Sequence, residues 1–258
     1  MIGTLFLYVK RNSMTSVSTA LHGLSLFISE PRPWGVREFA ERAGLAPSNA
    51  HRILVALKQA GYLTQDAQGR TYSLGIRALE LGEAFRRSVN LDAQVQKLLD
   101  ETARSTGESI YLSFRDGGEV ICTQRALGTS GLQLQIAVGE RTSIFRGSRG
   151  RLLLAYVDPS ERKALFDAAV PVDGAADPRE LNDADSLAAI VEHGYCFSVG
   201  ERLDGVAGVS APLRQKGSVN AAVTIGGPVD RFTADAVADH VTTAKALAAQ
   251  LEGRLNHA

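Results

Sequence analysis

Residues 37–63 read REFAERAGLAPSNAHRILVALKQAGYL, and the reading of this stretch decides the fold of the N-terminal part of the chain. Two runs with helical spacing are broken by Ala43-Gly44-Leu45-Ala46-Pro47-Ser48, so one helix must end and another begin within a few residues. The spacing predicts a helix over Val36–Ala43 that turns Phe39, Ala40 and Ala43 inward. It stops at Gly44, a residue that reaches the left-handed conformation needed just past a helix end. The next helix starts at once, with Pro47 tolerated in its first turn, Ser48 or Asn49 as its cap, and Ile53, Leu54 and Leu57 on its buried side.

Two short helices joined by a turn of ~3–4 residues containing glycine form the helix-turn-helix arrangement, whose second helix enters the major groove of DNA. Ala40, four residues before Gly44, supplies the small side chain needed where the helices cross. The outward residues of the second helix are then Ser48, Asn49, His51, Arg52 and Lys58. They suit DNA reading: arginine reads guanine edges, asparagine reads adenine, and serine or lysine holds phosphates. Upstream, Leu21, Leu24, Phe27 and Ile28 place one apolar face on a helix over Val17–Ser29, ended by Pro31 and Pro33. Downstream, YLTQ and TYSLG flank the turn DAQGR and predict a two-stranded wing with Arg70 at its tip. The competing reading is an ordinary pair of core helices followed by a β-hairpin.

Charge supports the DNA reading locally, not globally. The 258-residue chain has 28 basic and 28 acidic side chains, so no whole-molecule field draws it to a polyanion. Residues 1–76, however, hold eight Lys or Arg against four Asp or Glu. Cys122 and Cys196 lie in strand-like runs, cannot define a disulfide framework, and read as small core hydrophobes before redox sensors. Residues 1–15 read as a tail, with Met14 as an alternative start; no apolar run approaches the ~20 residues of a membrane span. A cytoplasmic location without membrane association follows. The five histidines show no metal-like clustering, so neither metal nor cofactor is expected.

The rest of the chain predicts α+β. Helical patterns run over residues 75–90, as a connector, and over Leu91–Thr106. ESIYLSFRDGGEVICTQRA reads as two strands around Asp116-Gly117-Gly118, and LQLQIAVG as another. Helices near Gly150–Tyr156, Pro159–Ala169 and Asp183–His193 precede strands near Cys196–Val199, Val206–Leu213 and Val219–Ile225. A long helix from Thr233 to about Leu251 closes the pattern. Strands outside a βαβ rhythm predict a mainly antiparallel sheet.

Over residues 16–254 the chain resembles the IclR family of bacterial transcriptional regulators. The resemblance rests on VREFAERAGLAPSNAHRILVALKQAGYL, the wing ending YSLG, VGERTSIFRGSRGRLLLA, GYCFSVGERLDGVAGVSAPL and AAVTIGGPVDRF. It implies a tail (1–15), a winged helix-turn-helix (16–75), a linker helix (76–90) and an effector-binding domain of GAF/profilin-like fold with a mainly antiparallel sheet (91–258). It also implies an effector pocket between that sheet and the elements on one side of it. Carried over by position, the loop before GRLLLA contributes Ser148, Arg149 and Gly150, the strand GYCFSV contributes Ser198, and the last two strands contribute Val206, Gly208, Thr224 and Gly226. Backbone N–H groups at a helix start suit a carboxylate, and family effectors are often small organic or aromatic acids.

The chain departs from the family pattern where the effector would sit. FRGSRGR stands where members often show His-Ala-Thr-Ala before Gly-Lys, and Gly208 and Gly226 replace polar side chains of some relatives, which implies room for a bulkier ligand. Near the N-terminus, Thr19-Ala20-Leu21 stands for a common Arg-Ala-Leu. Arg146, Arg149 and Arg151 read as solvated or bridging charges or, for Arg149, as a direct ligand group. The expectation is a DNA-binding regulator, dimeric or a dimer of dimers on a pseudo-palindromic operator, whose affinity is set by a small carboxylate. The alternative is an enzyme or a DNA-independent sensor, although no residues supply a base, nucleophile and oxyanion site together.

Overall fold

The computed structural model describes residues 16–131, 133–169, 177–215 and 217–256. The proposed tail, 1–15, lies outside them. The chain divides between Val89 and Asn90 into two compact units.

The first unit begins with α1 (Ser16–Ser29), a short strand β1 (Trp34–Gly35), α2 (Val36–Ala43) and α3 (Pro47–Gln59). Gly44 adopts φ 65° and ψ 36°, and the N–H of Leu45 returns to Ala40 O at 2.8 Å. That pairing satisfies carbonyls at the end of α2 and frees the chain to start α3 three residues later. The sequence reading of α3 is corrected at its cap: the capping residue is Ala46, without a side-chain bond, and Ser48 and Asn49 lie inside the first turn. The wing is β2 (Leu63–Gln65) and β3 (Thr71–Leu74), joined by β1 in the order β1-β3-β2. Leu26, Phe27, Trp34, Phe39, Ala40, Ala50, Leu54 and Tyr72 form the core. Leu21 and Ile28, expected on the inner face of α1, are 58% and 62% exposed, because Gly23, Leu26 and Phe27 take that face. Gly23 makes the choice: a methyl there would lie 2.7 Å from the Phe39 ring.

The unit ends with α4 (Ile76–Ser88), which buries none of its residues. Asn90 follows with φ 54°, a left-handed conformation that asparagine tolerates, and Asp92 caps α5 (Ala93–Thr106) by accepting from Gln94 N and Val95 N.

The second unit is built on an antiparallel six-stranded sheet, order β6-β5-β4-β9-β8-β7. The strands are β4 (Ser109–Asp116), β5 (Glu119–Ala126), β6 (Arg141–Ser143), β7 (Cys196–Val199), β8 (Val206–Gln215) and β9 (Ser218–Pro228). Side chains alternate between its faces. Ile110, Leu112, Val209, Ala211, Val223 and Ile225 share one face, against which α5 and α10 (Ala234–Leu255) pack. The other face carries Tyr111, Ser113, Gly208, Ser210, Thr224 and Gly226, and α6 (Gly147–Ala155) crosses it. Helices α7 (Pro159–Ala168), α8 (Pro178–Leu181) and α9 (Ala184–His193) complete the unit.

Two differences from the sequence reading bear on the site. LQLQIAVG was expected as a strand; residues 133–137 carry none, and the strand falls later, at Arg141–Ser143. Side chains hold the irregular segment instead: Tyr111 Oη donates to Leu134 O, and Arg125 Nη1 donates to Ile136 O at 2.9 Å. The helix expected from Gly150 begins at Gly147, so Ser148, Arg149 and Gly150 belong to its first turn and not to a preceding loop.

Gly150 sits where a methyl group would lie 2.7 Å from Ile144 O and 2.8 Å from Ser143 O, both backbone atoms. Gly150→Ala is therefore expected to destabilise the second unit by about 1–3 kcal/mol, the cost of forced overpacking. A lowered Tm of that unit in calorimetry of the full chain checks it; an unchanged Tm would show that α6 shifts without cost.

Candidate functional site

On the first unit, Ser48, His51, Arg52, Lys58 and Arg70 are exposed and Asn49 is half-buried. The structure brings together two subsets of them. Asn49 Oδ1 accepts from Arg52 Nη2 at 3.0 Å, which holds the guanidinium over the start of α3. Lys58, at the other end of α3, donates to Gln65 Oε1 at 2.7 Å, while Gln65 Nε2 donates to Gly69 O at 2.8 Å. Lys58 is thereby tied to the wing and its tip. The turn is set by Asp66, whose Oδ1 accepts from Arg70 N at 2.6 Å and Thr71 N at 3.2 Å. Partial desolvation pulls the Asp66 carboxyl upward, but hydrogen bonds from Thr71 and Arg70 outweigh it and hold the group below the ordinary carboxylate range.

On the second unit, a buried polar array lies beneath the first turn of α6. Ser210 Oγ donates to Ser148 Oγ at 2.8 Å and shares a hydrogen bond of 2.8 Å with Thr224 Oγ1. Arg149 is only 4% exposed, and among the described residues its guanidinium meets hydroxyls alone: Thr142 Oγ1 at 2.9 Å and, at a marginal 3.5 Å, Ser113 Oγ. Burial, reinforced by the charge of Arg202, pulls its pKa down to about 10, so it remains a cation at neutral pH. Its own helix start is already occupied by a carboxylate: Glu201 accepts from Gly147 N at 2.9 Å and from Arg151 Nη1 at 2.8 Å.

Of the other residues carried over to this face, Ser198 pairs across the ladder with Gly208, and Val206 lies half-buried in phase with them near the strand's start. Gly150 has backbone where a side chain would lie. The room expected at two other glycines is corrected. Gly208 leaves no vacancy, because a methyl there would meet Ser148 Oγ at 3.0 Å. Gly226 is covered by Leu134, whose Cδ2 lies 3.2 Å from the same construction. A groove of about 500 Å³ does open past the end of α6, lined by Arg115, Tyr156, Asp158, Glu161, Arg214 and Asn220, but it shares no residue with the array.

Sequence reasoning missed Ser113, Thr142 and Ser210, as well as Tyr111 and Arg125. Ser210 was within reach, since it follows Gly208 in phase on one strand. Thr142 was not, because the alternation of LQLQIAVG points to a strand that starts nine residues earlier, at 132 and not at 141.

Such a chain, a winged helix-turn-helix followed by a sheet domain with a buried polar face, has the build of a DNA-binding regulator with its own effector-binding domain. Residues 16–67 match the IclR helix-turn-helix domain, and residues 84–252 match the C-terminal domain of the bacterial transcriptional regulator IclR. The chain belongs to the IclR family of bacterial transcriptional regulators. It is 26% identical over 252 residues to the HTH-type transcriptional regulator KipR of Bacillus subtilis, covering 96% of this chain and 99% of KipR. An IclR transcriptional regulator from Silicibacter sp. TM1040 superposes with a TM-score of 0.83 at 22% identity, covering 95% and 97% of the two chains. An IclR homologue from Microbacterium hydrocarbonoxydans, complexed with 4-hydroxybenzoate, gives 0.76 at 22% identity, covering 93% and 99%. At that identity these two likenesses establish the fold.

Both cysteines are buried and unpaired. Burial pushes the Cys122 thiol up to about 11, against the opposing charge of Arg149, and Cys196 up to about 12. At pH 8 about one Cys122 in a thousand is then thiolate, the reactive form. Native protein is expected to react with a thiol-directed disulfide reagent far more slowly than denatured protein. Rapid native labelling of either cysteine would contradict the burial described.

Proposed function

We propose that this regulator binds a small carboxylic acid on the α6 face of its sheet domain, and that binding changes its affinity for an operator. The observation that carries this reading is Arg149, a buried cation whose contacts among the described residues are neutral hydroxyls. A charge taken out of water without an ionic partner is costly, and an arriving carboxylate removes that cost with charge-assisted hydrogen bonds. Ser148, Ser210 and Thr224 then line the approach, with Ser198, Val206, Gly208 and Gly226 bordering it. The 4-hydroxybenzoate bound by the Microbacterium homologue supports an aromatic acid as the first probe.

Self-association as a dimer, or a dimer of dimers, is part of the same reading, since one winged helix covers only one half-site. Its support is apolar: Val17, Leu21 and Ile28 on α1, and Ile76, Leu79 and Phe85 on α4, are exposed. A second copy is the natural cover for such surface. Work on DNA places the protein in the cytoplasm. Sedimentation at concentrations that bind operator should show a dimer or tetramer; a strict monomer would sink this part.

The DNA side yields a contrast between two variants. Arg52→Ala should relax base preference, because a bidentate arginine–guanine contact is worth roughly 1–3 kcal/mol of discrimination. Lys58→Ala should weaken binding evenly across sequences and flatten the salt dependence. Competition assays on operator variants measure both, and an unchanged preference in the Arg52 variant would count against it as a base reader.

Arg149 is tested by stability and response together. Arg149→Met should raise the Tm of the ligand-free protein, since replacing a buried uncompensated charge commonly stabilises by about 1–4 kcal/mol. The same variant should lose the effect of 4-hydroxybenzoate and related benzoates on operator affinity, measured by fluorescence anisotropy with the protein's own upstream DNA. In the parent that effect is expected at ~1–3 kcal/mol of coupling. A lowered Tm with the response intact would make Arg149 a structural residue.

A further inference from the structure

The polar face has a second group of donors, beyond the one around Arg149. Tyr111 on β4 and Arg125 on β5 stand directly opposite each other in the ladder. Both side chains reach across the face to main-chain carbonyls of the irregular segment above it: Tyr111 Oη donates to Leu134 O, and Arg125 Nη1 to Ile136 O at 2.9 Å. A cation and a phenol bonded to carbonyls of a segment without strand pairing make an exchangeable arrangement. The acceptors belong to chain that has no ladder of its own to keep it there.

The same segment fills the space a ligand would need. Leu134 covers Gly226, and Ile136 packs on Tyr111 and Cys122, 3% exposed. It is pinned at its far end by Gly139 N to Cys122 O at 2.7 Å, and by Glu140 to Arg202 at 2.7 Å. The two donor groups are set apart by the strand itself. Ser113, beside Arg149, lies two residues along β4 from Tyr111, roughly 7 Å at the usual strand rise.

Resting on the reading of this face as the effector site, we propose that the effector is bifunctional, with a carboxylate held by Arg149 and a second oxygen acceptor about one ring-length away. That second acceptor takes Tyr111 and Arg125 from the carbonyls of Leu134 and Ile136. The ligand class is a para-substituted aromatic acid, or a dicarboxylic acid of matching length. In the ligand-free protein, the two carbonyls and the side chains of Leu134 and Ile136 stand in for the far half of that ligand.

Calorimetric titration of the full chain with terephthalate, 4-hydroxybenzoate and 4-methylbenzoate tests this, because the three share the benzoate ring and differ in the para group. Terephthalate should bind at least about tenfold tighter than 4-methylbenzoate, the scale of a charge-assisted hydrogen bond. Arg125→Gln should remove that advantage and leave 4-methylbenzoate unchanged. Tyr111→Phe, which keeps the ring packed, should cost 4-hydroxybenzoate most, and circular dichroism confirms that each variant is folded. Equal affinity for terephthalate and 4-methylbenzoate, or an Arg125 variant that weakens all three alike, would overturn the proposal while leaving Arg149 as the carboxylate receptor. If none of the three binds, or if all bind undiminished to Arg149→Met, the effector-site reading falls with it.

Discussion

The close approach of α6 to the backbone of Ser143 and Ile144 governs the rest of the sheet domain. Glycine at position 150 is what permits it. Once the helix start lies that near β6, Ser148 is delivered to Ser210 on β8 and Arg149 to Thr142 and Ser113 on the other side of the same face. A guanidinium in such a place cannot retreat to water. It must be matched by neighbouring hydroxyls, weakly, or by an anion from outside, strongly. Glu201 does not serve, because its two oxygens are engaged by Gly147 N and by Arg151.

If an effector binds as proposed, the polar face has two ways of satisfying its donors, and therefore two states. In one, hydroxyls and the carbonyls of residues 134 and 136 complete the hydrogen bonds, and two apolar side chains exclude solvent. In the other, a ligand supplies the oxygens. A ligand shifts such an equilibrium only by the difference in its affinity for the two arrangements. On that proposal the irregular segment makes the difference large, since its side chains and the ligand would compete for the same volume. Had residues 133–137 formed the regular strand that their alternation suggests, their carbonyls would be fixed in a ladder, and the donors beneath them could not be released so simply.

The helices and most strands were legible in the sequence because local signals agreed. Gly44 and Pro47 bracket the turn between α2 and α3, and Asp116-Gly117-Gly118 turns β4 into β5. The failures come from non-local competition. The alternation of LQLQIAVG is real, but Tyr111 and Arg125, distant in sequence, capture its carbonyls. Leu21 and Ile28 fit the apolar stripe of α1, but the contact of Gly23 with Phe39 rotates the buried face away from them. Of the site, the resemblance supplied positions while packing decided their roles. Arg149 gained weight when its hydrogen bonds among the described residues proved to be with neutral hydroxyls. Gly208 and Gly226 lost theirs as vacancies, because a serine and a leucine already occupy the space.

The start of α3 shows the same preference for function over local stability. A serine or asparagine at the capping position would satisfy the first N–H groups and add about 1 kcal/mol to the helix. The chain instead places Ala46 there and relies on Pro47, whose missing N–H and fixed φ suit a first turn. That leaves the polar side chains of Ser48 and Asn49 two and three positions beyond the cap, free of capping duty. Asn49 uses its carbonyl oxygen to hold Arg52 in place, which lowers the conformational entropy an arginine must lose when it meets a base edge. A weaker cap is thus coupled to a better-ordered exposed face, on the helix proposed to read DNA.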